Sequence, residues 1–210
     1  MRKLTRAFTG TAATGVAIIA AVGLAAAPAF ATVSSATVSG STGTNGAFSA
    51  TASGPTLTDS NTKVKLTCSS ATASGTAPNG TYTTGAPTAI PVASLNTLGW
   101  SQCTISGIGF TVTANATPWK LNATGPTSGG VTPGSITGVN AKLSGACTAT
   151  VTGTVTGSYN NGTHTLSINA GTLTVSGVSG LCLGLINNGD SVVYAANYVV
   201  TPSTLAVNAT

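Results

Sequence analysis

Charge is what this 210-residue chain has least of: Lys, Arg, Asp and Glu together make up 4% of it. The only carboxylate side chains are Asp59 and Asp190, and His164 is the only histidine. Arg2, Lys3 and Arg6 crowd the first residues, which leaves Lys63, Lys65, Lys120 and Lys142 as the scattered cations of the remainder. Four lysines against two aspartates give that remainder a net charge of about +2. Nucleic-acid binding draws on clustered Lys and Arg to displace counterions from phosphates, and this distribution excludes it. The long charged helix formers are missing too, and no helical apolar period appears after the N-terminus.

Few residues can move protons, so catalysis has few places to reside. His164 could serve as a general base. A triad would also need a nucleophile and an orienting carboxylate, and no G-x-S-x-G elbow occurs. Ser60-Asn61-Thr62-Lys63 fits S-x-x-K, but the companion K-T-G and S-D-N motifs are absent and the local pattern is that of a strand. Asp59 in LTDSN and Asp190 in INNGDS have turn composition rather than the look of a glycosidase pair. No catalytic residue and no cofactor is expected, and the chain reads as a non-enzyme.

What is present begins with an export signal. MRKLTRAF, the apolar run GVAIIAAVGLAAAP and Ala29-Phe30-Ala31 are the basic, apolar and A-x-A parts of a secretory signal peptide over residues 1–31. The run is short and rich in Ala and Gly, whereas a membrane span needs about 20 apolar residues. Residues 32–210 are therefore expected outside the cytoplasm, secreted or bound to the cell surface, with no transmembrane span. No Cys stands at the cleavage boundary to carry a lipid, and no paired arginines mark a twin-arginine route.

Beyond residue 31 the chain is written mainly in Thr, Gly, Ala, Ser, Val and Asn. β-Branched residues suit a pleated, half-buried surface, and Gly, Asn and Pro break strands into turns. The expected fold is all-β: a disulfide-stabilised antiparallel β-sandwich, with a small β-barrel as the alternative. Residues 32–56 read as a flexible segment and 57–210 as one β-rich domain. Strands are expected at 63–68, 108–114, 119–124, 135–143 and 191–201, with loops at 75–91 and 125–134. The run from Leu181 to Ile186 reads as a buried strand or its approach. Asn161-Gly162 signals a two-residue hairpin turn. That turn sets Tyr159 opposite His164, Gly157 opposite Leu166 and Val155 opposite Ile168, with His164 in the strand. Segment 191–201 alternates Val192, Tyr194, Ala196, Tyr198 and Val200 on one face and is the expected edge strand, through which copies would associate.

Four cysteines in an exported chain imply two disulfides. Cys68 to Cys103 and Cys147 to Cys182 are both separated by 35 residues. KLTCSSATASGT at 65 resembles KLSGACTATVTGT at 142, so an internal duplication with one bridge per half is the economical pairing. Closing such a loop stabilises by about 4 kcal/mol in the chain-entropy model. A zinc site needs Cys pairs two to four residues apart, and none occurs. No metal is expected. Asn79, Asn115, Asn122, Asn161 and Asn208 begin Asn-x-Thr sequons, which in a bacterial host are simply turn and strand residues.

Trp100 in LGWSQC and Trp119 in ATPWKL are the candidate ligand-binding residues, since an aromatic face with a polar edge suits sugars and apolar molecules. Trp100 lies near Cys103 and is expected to pack against the disulfide. Cys68, the Pro118-Trp119-Lys120-Leu121 segment and the hairpin from Gly145 to Leu166, with Cys147 and Tyr159-Asn160-Asn161, give the chain a resemblance. It resembles small exported bacterial proteins of the alkane-oxidation activator type, over about half of residues 32–210. That resemblance implies an extracellular or surface-associated protein linked to hydrophobic substrates or biofilm, and it carries no catalytic residues. The reading is a secreted, non-enzymatic structural or interaction protein of the cell surface or matrix, binding itself or a surface partner. The alternative is a module that binds a carbohydrate or an apolar small molecule. An outer-membrane barrel is disfavoured by the cysteines and the short, turn-rich strands.

Overall fold

The structure, a computed structural model, describes residues 32–83 and 88–210. The export signal at 1–31 therefore lies outside the described residues. Fifteen strands follow one another: β1 (Ser35–Ser39), β2 (Ala47–Ser53), β3 (Thr56–Asp59), β4 (Lys65–Thr67) and β5 (Ser70–Thr76). Then come β6 (Gly80–Thr83), β7 (Ile90–Ser101), β8 (Cys103–Ile105), β9 (Ile108–Ala114) and β10 (Trp119–Ala123). The last five are β11 (Val131–Ser144), β12 (Cys147–Asn160), β13 (Thr165–Gly180), β14 (Ser191–Thr201) and β15 (Ala206–Ala209). A single 3-10 turn at Thr44–Gly46 is the one helical element among the described residues.

All pairings between the strands are antiparallel, and they form a three-stranded and a twelve-stranded sheet. The larger sheet closes on itself. Followed through its hydrogen bonds, it runs β10-β11-β12-β13-β14-β2-β5-β7 and returns to β10. A second circuit shares β11 to β14 and runs on through β3, β4, β8 and β9 back to β11. The two circuits are stacked rings of eight strands, threaded by the four long strands β11 to β14. Opposite walls face each other across a shared apolar core, which gives the sandwich-like packing expected from composition, now with its edges joined.

Alternation produces this core. In β2, Phe48, Ala50 and Ala52 are buried while Ser49, Thr51 and Ser53 are exposed. Apolar atoms thus point inward and Thr and Ser outward, the reverse of a lipid-embedded barrel, which carries its apolar band outside. The three-stranded sheet, ordered β15-β1-β6, sits over one end of the rings. The Tyr159 hydroxyl donates to Leu205 O at 2.8 Å, Thr132 Oγ1 to Val207 O at 2.7 Å, and Ala209 N to Thr127 Oγ1 at 2.7 Å.

Both expected disulfides are present, Cys68–Cys103 and Cys147–Cys182. Cys68 and Cys103 occupy the register position between Thr67↔Thr104 and Ser70↔Ser101, where β4 passes into β5 and β7 into β8. That bridge pins the joint between the rings. Cys147 begins β12, and Cys182 lies in the turn just after β13.

Several expectations are corrected. Strands 108–114 and 191–201 agree with β9 and β14, and β10 ends one residue early. The strand expected at 63–68 shrinks to β4, while that at 135–143 lengthens into β11 and takes in 131–134 of the expected loop. β6 occupies part of the other loop. Residues 32–56, expected to be flexible, carry β1 and β2, because alternating apolar residues give each a face to bury.

The hairpin register is two residues off. Tyr159 pairs with Leu166 and Gly157 with Ile168, and His164 is a turn residue at φ 51° rather than a strand residue. Asn160 Oδ1 accepts from Gly162 N and Thr163 N, while both side-chain ends of Asn161 bind Val207. These bonds hold a four-residue turn in place of the two-residue one. A slip of two leaves every side chain on its original face, so the apolar pattern agreed with either register. The segment from Leu181 to Ile186 is a turn, not a buried strand: Gly180 and Gly184 take positive φ, and only Cys182, through its disulfide, and Ile186 are buried. Finally, β14 is not an edge. It pairs with β13 on one side and with β2 and β3 on the other.

Candidate functional site

The ring interior holds two adjoining apolar hollows. An apolar cavity of about 70 Å³ lies inside the closed sheet, with Trp100, Trp119, Leu66, Ala141, Tyr194 and Tyr198 among its lining residues. A second, also about 70 Å³, lies toward the three-stranded cap and is bounded by Leu205 and Val207 of the C-terminal segment. The two share Phe48, Ile136, Val155, Leu166 and Ile168 as a common waist. A ring of about eight strands has an interior just wide enough to be filled by side chains or to take one small ligand. The alanines at 50, 73 and 141 leave room that larger residues would occupy.

The two sequence-derived candidates meet there. Trp100 near the end of β7 and Trp119 at the start of β10 have ring centroids 6.4 Å apart and planes tilted by 41°. Trp119 is 4% exposed, and its Nε1 donates to Asn115 O at 3.0 Å, so it presents no platform to a sugar in solvent. Trp100 is half-buried and donates through Nε1 to the Tyr194 hydroxyl at 3.1 Å. Tyr194 and Tyr198 share a hydrogen bond of 2.7 Å between their hydroxyls. The result is a short polar chain set in an apolar wall. Desolvation by burial raises the pKa of both phenols above the ordinary value; for Tyr194 the hydrogen bonds with Tyr198 and Trp100 partly offset the rise, whereas the neighbouring Tyr194 raises Tyr198 further. The tyrosines were legible only as one face of an alternating strand; their contact with Trp100 depends on closure of the sheet.

Asp59 and Asp190, far apart in sequence, also come together, at the end of the rings opposite the cap. They are 3% and 5% exposed. Asp59 Oδ1 accepts from Asn61 N and Thr62 N at 2.7 and 2.9 Å. Asp190 accepts from Asn61 Nδ2 at 2.8 Å and from Asn187 N and Nδ2 at 2.8 and 3.1 Å. Burial pushes the Asp190 carboxyl up. The bonds from Asn187 and Asn61 outweigh it, and the net shift is below the ordinary value. The adjoining hollow holds about 20 Å³ and is walled by Leu, Ile and Val. A sugar ring has no way to lie between these carboxylates. They join the turn at 60–64 to the turn at 181–190. His164 stands apart, in the hairpin turn at the capped end, with its carbonyl accepting from Val200 N at 2.8 Å. No group of three or more His, Cys, Asp or Glu side chains able to hold a metal occurs among the described residues.

Comparison with protein-family models gives no match, and comparisons with curated proteins and with solved structures give none either.

Proposed function

We propose that this is a non-enzymatic binding protein of the cell exterior whose closed sheet takes up a small apolar molecule. The observation that carries this reading is the cavity against Trp100 and Trp119, apolar except for the hydroxyl chain through Tyr194 and Tyr198. Sites for small molecules are typically apolar hollows with a few placed polar groups. Two compartments meeting at one waist suit a slender hydrocarbon better than a carbohydrate, which needs many unsatisfied polar partners. The resemblance to alkane-oxidation activators points to the same chemistry on sequence grounds. The disulfides fit an oxidising compartment. Assembly through β14 loses its basis, since that strand has partners on both sides.

Tryptophan fluorescence and methyl NMR under a titration with n-pentane and with xenon test the reading. Saturable shifts of methyl signals from Leu66, Ile136 and Val151 are expected, with a change in tryptophan emission. Ala141→Leu should weaken binding about tenfold or more by filling the space. No saturable shift from either probe rejects the reading.

A further inference from the structure

Four turns gather at the end of the rings left uncovered by the three-stranded sheet: 60–64, 106–107, 145–146 and 181–190. Three large apolar side chains are exposed at this end, Leu181 by 75%, Leu183 by 80% and Ile108 by 44%. Their exposure is built in. Cys182 faces inward to reach Cys147, so its two neighbours face out. Leu183 adopts φ 50°, a conformation unfavourable for any residue with a Cβ. The turn is braced by Leu181 N on Ala146 O at 3.3 Å and by Leu185 N on Cys182 O at 2.9 Å, and Asn187 fastens it to Asp190. A braced turn cannot fold its leucines back into the core. Ile108 flanks the same 145–146 turn from the other side, since Gly145 lies against Gly109 and Phe110.

The charges at this end are sorted by depth. Lys63, Lys65 and Lys142 are exposed within a few residues of these turns. Asp59 and Asp190 are buried and bonded to N–H groups. The surface there shows positive charge only, around an apolar tip. Amphipathic surfaces of this kind bind lipid layers, with apolar side chains reaching the acyl boundary and ammonium groups meeting headgroup phosphates. We propose that the protein docks on an anionic lipid surface through Leu181, Leu183 and Ile108, with Lys63, Lys65 and Lys142 as the basic rim. This rests on the surface alone and stands whether or not the interior cavity takes a ligand.

The test is cosedimentation of the full, oxidised chain with phosphatidylglycerol and phosphatidylcholine vesicles. The apolar N-terminal run is common to all variants, so differences between them report the tip. Preferential binding to phosphatidylglycerol is expected, falling with added salt. L181S/L183S should lower partitioning by about tenfold or more, and Ile108→Ser, on a separate turn, by about threefold. K63Q/K65Q/K142Q should lower the preference for the anionic lipid relative to the wild type, since Arg2, Lys3 and Arg6 are common to all variants. Circular dichroism and intact disulfides confirm that each variant is folded. Absence of wild-type binding, equal binding to both lipids, or undiminished binding by L181S/L183S and Ile108→Ser overturns the proposal. So does light scattering that shows a wild-type dimer dissociated by L181S/L183S, which would make the tip a contact between copies.

Discussion

The indole N–H of Trp100 has one acceptor, the Tyr194 hydroxyl, which is in turn bonded to Tyr198. In a wall this apolar, each link matters more for what its loss leaves behind than for its own strength, because an orphaned buried donor keeps its full desolvation cost. Tyr194→Phe removes the middle link and strands both neighbours at once. It should destabilise the protein by about 1–3 kcal/mol while leaving the strand pattern unchanged. Urea unfolding followed by tryptophan fluorescence reads both, and a change below about 0.5 kcal/mol would contradict the geometry. The aspartates obey the same rule with the opposite outcome. Both oxygens of Asp190 and Oδ1 of Asp59 accept from N–H donors, which lets the two carboxylates be buried without a cation beside them, and Asp59 Oδ2 alone has no partner.

Among the strands, two glycines mark where the rings bend. Gly75 in β5 and Gly157 in β12 both stand at a register shift, against β7 and β13 respectively. A Cβ on Gly75 would lie 1.9 Å from Ser94 O, and one on Gly157 would lie 1.9 Å from Ser167 O. Glycine inside a strand commonly marks a bulge or a close backbone approach, and here it marks both. These contacts are with backbone, which cannot swing aside. Gly157→Ala should therefore cost more than about 2 kcal/mol, well above the usual effect of an alanine in a strand. Gly109→Ala, where a Cβ meets nothing within 4 Å, is the control and should cost far less. Equal midpoints of thermal unfolding for the two variants would show that the bulge does not set the curvature.

Closure is the property of the whole molecule. It removes the edges of the large sheet, and it explains why so uncharged a surface needs few lysines to discourage pairing with other chains. It also buries three phenols. Burial raises the pKa of Tyr159, Tyr194 and Tyr198 above 10.0, most strongly for Tyr198. A raised folded pKa leaves stability undiminished below the unfolded value and erodes it above, because the unfolded chain ionises first. The urea midpoint should hold from pH 7 to about 9 and fall steeply beyond about pH 10. For Asp190 the shift is downward, so its contribution is present above the ordinary carboxyl range and fades as the pH falls through it. An unchanged midpoint at pH 11 would mean that the phenols are not buried as the closed sheet requires.

Composition determined the all-β class, because Thr, Val and Ser in alternation with turn residues leave no helical face to bury. Equal spacing of the cysteines favoured the pairing, and alternation chose the buried face of β12 and β14. Each of these is a local property of the chain. Register, neighbours and closure were decided only in three dimensions. The apolar period of two cannot distinguish registers two apart, and the Asn160 and Asn161 side chains settled the hairpin through bonds to the turn and to β15. An uncharged alternating strand such as β14 reads the same at an edge or between two partners, and only the rings gave it both. The meetings of Trp100 with Trp119 and Tyr194, and of Asp59 with Asp190, join residues far apart in the chain. Such contacts follow from which walls face each other, and no short stretch of sequence carries that information.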